Sequence, residues 1–157
     1  MECYKNELEA AQRSSLMAGF QMLDLQDYSG QGTALVGPLN ALMENKGLIS
    51  AGEWREFCSP AVVMGRFYSY VLTCGEKFDL TVNLAYYSKK TLKAPALLIE
   101  MVDDAGKKSI FKDSIDISSS FEARIKEHGG DACGLYDFGS FSIDIPEGTG
   151  IVKYVHR

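Results

Sequence analysis

The hydrophobic period of the chain changes at Pro60, and no single secondary-structure layer can satisfy both halves. Before that point stretches with apolar residues at helical spacing and capping signals flank a single buried-strand pattern. After it, β-branched and aromatic residues recur in short runs separated by turn residues. Phe78, Leu80, Val82 and Leu84 alternate with Asp79, Thr81 and Asn83, the pattern of a strand buried on one face. Ala96 to Val102, Ser109 to Ile117 and Phe138 to Ile145 read as further strands, with Asp103-Asp104-Ala105-Gly106 as a hairpin turn. Ile151 to Val155 adds a last one. Ser118 to Gly134 reads equally as strand or short helix, because Phe121 and Ile125 fit both periods. Loops are expected at His128 to Asp131, with His128 solvated, and at Pro146 to Gly150.

In the first half, Tyr4, Leu8 and Ala11 place an amphipathic helix over Glu2 to Arg13. Ser14-Ser15 ends it. A helix is expected between Pro38, which suits a first helical turn, and Gly47, which suits a C′ position. Ser50-Ala51-Gly52-Glu53 is a capping box, with Ile49 and Trp54 placed as a hydrophobic staple and Ser59-Pro60 as the stop. Trp54, the only tryptophan, therefore has a packing role in view beside that of an aromatic sugar platform.

Between these helices lies Ala18 to Gly37, AGFQMLDLQDYSGQGTALVG. Apolar residues at 20, 22, 23 and 25 read as one buried strand covered on both faces, as in a parallel sheet between helices. Asp24, Gln26 and Asp27 crowd its C-terminal end, where open α/β sheets and β/α barrels gather their ligand groups. The glycine loop that follows does not have the spacing of G-x-G-x-x-G, and it lacks the Lys-Ser/Thr ending of a phosphate loop.

GFQMLDLQDYSGQGTALVG, with CYKNELEAAQR before it and LMENKGLISAGEWREFCSP after it, resembles the last β/α unit of the catalytic barrel in glycoside hydrolase family 2. That family includes β-galactosidases and β-glucuronidases, and the likeness is to large sugar-cleaving enzymes of gut bacteria. From about Arg66 the chain resembles the immunoglobulin-like sandwich that follows that barrel. The resemblance implies an α+β chain: residues 1–60 as the end of a (β/α)8 barrel, helices with one buried strand, and residues 61–157 as an antiparallel immunoglobulin-like β-sandwich. Five or six strands, against the usual seven or so, make truncation after Arg157 an expectation.

The same resemblance implies that both catalytic glutamates of a retaining mechanism, about 5 Å apart, lie on earlier barrel strands outside this chain. No catalytic residue is expected here, and the chain alone is expected to be inactive. The family pattern G-G-F, an apolar residue, W-D-W and a later D-Q is met loosely by Gly19 to Asp27, with Leu23 where a pocket tryptophan would fall. Asp24, Gln26 and Asp27 are then the candidate substrate-binding residues, accepting hydrogen bonds from sugar hydroxyls. Capping of the following loop by the same side chains is the equal alternative. The implied partner is carbohydrate, in a parent enzyme of the bacterial periplasm or secreted from the cell. A non-catalytic carbohydrate-binding or accessory module is the competing function.

Composition narrows the partners further. Sixteen basic against 21 acidic residues give a net charge of −5 without a basic run, which argues against nucleic acid. No apolar run approaches the length of a membrane span, and the start MECYKNELEA does not read as a signal peptide. The cysteines at 3, 58, 74 and 133 lack the spacing of a zinc site and read as buried thiols, so neither metal nor cofactor is expected. They do not decide the compartment. One strand cannot close a barrel, so the apolar faces of residues 19–27 require packing within the chain or self-association, a homodimer being the simplest closed form.

Overall fold

The computed structural model describes residues 1–90, 92–103, 109–147 and 152–156. Its elements run α1 (Glu2–Arg13), α2 (Ala51–Phe57), β1 (Ala61–Arg66), β2 (Lys77–Tyr86), β3 (Ala96–Asp103), β4 (Ser109–Asp116), α3 (Ser118–Glu127), β5 (Gly134–Asp144) and β6 (Val152–His156). The fold is α+β, three helices with antiparallel sheets. Two compact units divide the chain, Met1–Val62 and Val63–Arg157.

In the second unit, β2 pairs antiparallel with β5, and β1 lies on the other side of β2. A second sheet has the order β4-β3-β6, both pairings antiparallel. The chain thus leaves β2 for the other sheet and returns through α3 before β5 closes on β2. The alternation of β2 explains its place: Phe78, Leu80, Val82 and Leu84 are buried, while Lys77 and Asp79 are exposed. These side chains share one core with Leu97, Ile99 and Met101 of β3 and with Phe121 of α3.

The ambiguous segment after β4 is helical. Phe121 stacks on Tyr136 of β5 at 4.5 Å between ring centroids and meets Tyr86 edge-on at 5.2 Å. Arg124, one turn on, donates from Nε to the Cys133 carbonyl at 2.9 Å and lies over the Tyr136 ring. Helical spacing brings Phe121 and Arg124 onto one side, which a strand over the same residues would separate. His128 is exposed at the helix end. The expected hairpin turn at Asp103 to Gly106 and the end of the loop at Pro146 to Gly150 lie outside the described residues.

The first unit departs more from expectation. Its α1 and the capping box of α2 form as the sequence indicates: the Ser50 side chain accepts from the Glu53 amide at 3.2 Å, and Glu53 accepts from the Ser50 amide at 2.8 Å. The buried strand at residues 19–27 does not form. Gln26 makes only an isolated parallel bridge to Leu39, and Phe20, Leu23 and Leu25 are exposed, Leu23 by 82%. A parallel strand needs neighbours along both edges and layers on both faces, and among the described residues of this unit no such neighbours exist.

The helix expected between Pro38 and Gly47 is also replaced by turns. Asn40 Oδ1 accepts from the amides of both Leu42 and Glu44 at 2.9 Å, offering those groups a local partner in place of a helical carbonyl. Met43 consequently lies at φ 65°, outside the right-handed helical region.

Candidate functional site

The loop after residue 27 is closed at its base by an aspartate. The Asp27 amide donates to the Leu39 carbonyl at 2.9 Å, and the Leu39 amide donates to the Leu25 carbonyl at 3.2 Å. With the backbone so held, the Asp27 carboxylate turns inward, where Oδ1 accepts from the Gly37 amide at 3.0 Å. Lys46 Nζ lies 2.9 Å from both carboxylate oxygens and also donates to the Leu35 carbonyl. The cation compensates a carboxylate side chain that is only 11% exposed, without which burial of the charge would be costly. Gly37 is required at the closure: a Cβ there would stand 2.6 Å from the backbone carbon of Gln26.

The other two candidates are not gathered with it. Gln26 is exposed, and its side chain has no hydrogen-bond partner among the described residues. Asp24 is half-buried and takes part through its backbone carbonyl, which accepts from the Tyr4 hydroxyl at 3.4 Å. The three side chains share no partner. Asp27 acts as the clasp of the loop, one of the two roles open to it from sequence. Lys46, nineteen residues away, had no signal in the sequence that marked it as the partner.

Trp54 packs edge-on against Phe57 at 5.0 Å and Tyr4 at 6.4 Å, which gives it the packing role. Its remaining side borders a cavity of about 220 Å³ that Leu25, Leu39 and Ile49 also line. That space is small and mostly apolar, with little to orient a sugar.

A larger cleft opens on the second unit. About 610 Å³ in volume, it lies over the polar face of β2 and β5 beside the end of β1. Asp79 stands opposite Ser142 and Thr81 opposite Ser140 in the strand register, so their side chains form a hydroxyl and carboxylate floor. The Thr81 and Ser140 hydroxyls are 3.0 Å apart. Arg66 and Tyr68 line one side, and Tyr68 is 100% exposed. A register shift between Thr81 and Asn83 interrupts the ladder, which resumes at Asn83 opposite Asp137, and the Gly139 amide donates to Asp137 Oδ1 at 2.8 Å. Such irregularities re-aim side chains next to binding sites. In sequence, Asp79 and Thr81 are indistinguishable from any solvent face of an alternating strand, and nothing joins them to Arg66 and Tyr68.

Cys3 and Cys74 are exposed and Cys58 and Cys133 half-buried, which corrects the expectation of four buried thiols; none of them is in a disulfide. Hydrogen bonding to Asp131 and burial push the Cys133 thiol up from its ordinary pKa, away from nucleophilic reactivity at neutral pH. Among the described residues no group of three His, Cys, Asp or Glu side chains is arranged to hold a metal ion, and no helix is long and apolar enough to cross a membrane. No protein-family model matches the chain, and no curated protein matches it.

Proposed function

We propose that this chain is the C-terminal part of a glycoside hydrolase acting on β-linked sugars, akin to the family 2 β-galactosidases and β-glucuronidases, and that it supports a sugar site without supplying catalytic groups. In this reading residues 1–60 are the last β/α unit of the barrel, with Asp27 clasping the loop at the strand top and Asp24 and Gln26 near substrate. Residues 61–157 form the immunoglobulin-like sandwich. The core shared by β2, β3 and α3 supports a two-sheet arrangement of this kind.

The observation that carries the reading is the uncovered apolar surface of the stretch that resembles a barrel strand. Phe20, Leu23 and Leu25 are 43%, 82% and 45% exposed, an arrangement that costs solubility unless another element covers it. Neighbouring barrel strands would supply that cover and restore the strand pattern at 19–27.

Two measurements test this. The coding region upstream of Met1 is expected to run in frame through barrel strands bearing two glutamates; an authentic ribosome-binding site and start at Met1 would favour the accessory-module reading. Purified chain is expected to leave nitrophenyl β-galactoside and β-glucuronide intact. Turnover that a substitution within this chain abolishes would overturn the assignment of catalysis to residues elsewhere.

A further inference from the structure

We propose that the cleft over β2 and β5 is a saccharide-binding site in its own right, taking a short oligosaccharide along the floor of Asp79, Thr81 and Ser140 with one ring face against Tyr68. The site is separate from residues 24–27 and does not require the glycosidase reading to be correct.

Four features converge on this ligand class. The volume of about 610 Å³ falls within the range of small-molecule sites, roughly 300–1,000 Å³. Its floor offers donors and acceptors together: after the Thr81 and Ser140 hydroxyls bond to each other, one proton and several lone pairs remain for a ligand. The side chains of Arg66 and Asp79 have no hydrogen bond or ion pair among the described residues, so both remain available, the guanidinium to donate and the carboxylate to accept. Tyr68 presents a fully exposed ring at the edge, an amphipathic surface on which the C–H face of a pyranose can lie while the phenol stays wet.

A polyhydroxylated ring matches that alternation of donors, acceptors and one aromatic face. Phe67 and Phe141 add apolar flanks to the hydroxyl floor of Thr81, Ser140 and Ser142, a mixed lining that suits the polar edge and C–H face of a pyranose. Asp79 and Tyr68 are both exposed and are not members of the shared core, so they are free to serve a ligand.

The test is calorimetric and NMR titration of the full chain with β-1,4-galactotriose and, separately, with a β-1,4-linked glucuronic acid trimer. Saturable binding of at least one is expected, with amide shifts at Thr81 and Ser140. Tyr68→Ala and Asp79→Asn should each weaken it about tenfold, the effect of losing one good ligand contact, with unchanged circular dichroism. Preference for the acidic trimer that Arg66→Gln removes would assign the guanidinium to a sugar carboxylate. No binding of either probe at millimolar concentration, or binding that neither Tyr68→Ala nor Asp79→Asn weakens, overturns the proposal. Because the readout is binding without turnover, it is independent of whether barrel glutamates are encoded upstream.

Discussion

The two units of this chain use apolar residues in opposite ways. In Val63–Arg157 the large aliphatics of β2 and β3 alternate into one core, with Leu80 and Val82 wholly buried. In Met1–Val62 a similar density of leucines, from Leu16 to Leu48, stands largely in solvent, and order comes from hydrogen bonds: the Asp27 clasp, the Asn40 turn and the Ser50 cap. The difference is one of partners. An alternating strand finds its cover in the next strand of the same sheet, whereas a run apolar on both faces needs two layers and two neighbours before it can bury anything.

The largest expected effect separates the units directly. Leu80→Ala should cost about 3 kcal/mol, the range for a fully buried leucine, while Leu23→Ala should stay within about 0.5 kcal/mol, as exposed substitutions do. Urea unfolding at several protein concentrations measures both. If the cost of Leu23→Ala grows with concentration, a second copy of the chain covers this surface, and the homodimer expected from the uncovered strand is real. A cost equal to that of Leu80→Ala at every concentration would break the comparison.

Next in size is Gly134→Ala, expected at about 2 kcal/mol from backbone strain at positive φ and the loss of one part-buried interaction set. Gly134 has φ 144°, and a Cβ there would fall 1.9 Å from Arg124 Nη2. The guanidinium can swing away only by giving up its bonds to the Cys133 and Leu135 carbonyls and its place over Tyr136. Thermal unfolding of Gly134→Ala alone and with Arg124→Ala gives the test. If the clash is the cause, the double variant costs less than the sum of the singles.

How much of this was legible in the sequence follows the same division. Strand β2 could be read because its period of two coincides with its burial, and the cap at Ser50 because both partners of a capping box lie within four residues. The nature of α3 could not, since the contact that decides it, Phe121 on Tyr136, joins residues fifteen positions apart. Pro38 and Gly47 carried true local signals, and Gly47 does take positive φ, but Asn40 diverted the amides between them. The candidate residues fared likewise. Asp27 was visible as a carboxylate at a turn, whereas the facts that give it its role, Lys46 and Gly37, come from the path of the loop.

Smaller still is the clasp itself. Asp27→Asn keeps an oxygen for the Gly37 amide but removes the charge facing Lys46, whose side chain is 26% exposed and can rehydrate. Solvent screening holds the expected loss to about 1 kcal/mol. It should be local: hydrogen exchange is expected to quicken at Tyr28 and Gly37 and to stay unchanged across β2 and β5. Uniform quickening in both units would show that the clasp holds more than its own loop.

The smallest effect is electrostatic and acts on both units alike. Glu53 in the first lies below its ordinary pKa through hydrogen bonding to Ser50, from the side chain and then the backbone. In the second, Asp116 is lowered through Ser118 and Asp131 through the Cys133 amide. A folded-state pKa below the unfolded one means the unfolded chain binds more protons in that interval. These groups therefore contribute stability that is complete above the ordinary carboxylate range and is lost as pH falls through their lowered values. On the alkaline side, burial raises Tyr136, so its contribution is present below the ordinary tyrosine range and is lost as pH rises through the raised value. The midpoint of thermal unfolding should accordingly be flat near neutrality and decline at both extremes. Asp131→Asn, which can still accept from the Cys133 amide, should flatten the acid limb slightly and, because the Asp131 carboxylate also raises Cys133 and Tyr136, flatten the alkaline limb as well. If Asp131→Asn instead lowers the midpoint equally at every pH, the carboxylate holds the turn by its geometry rather than by its charge.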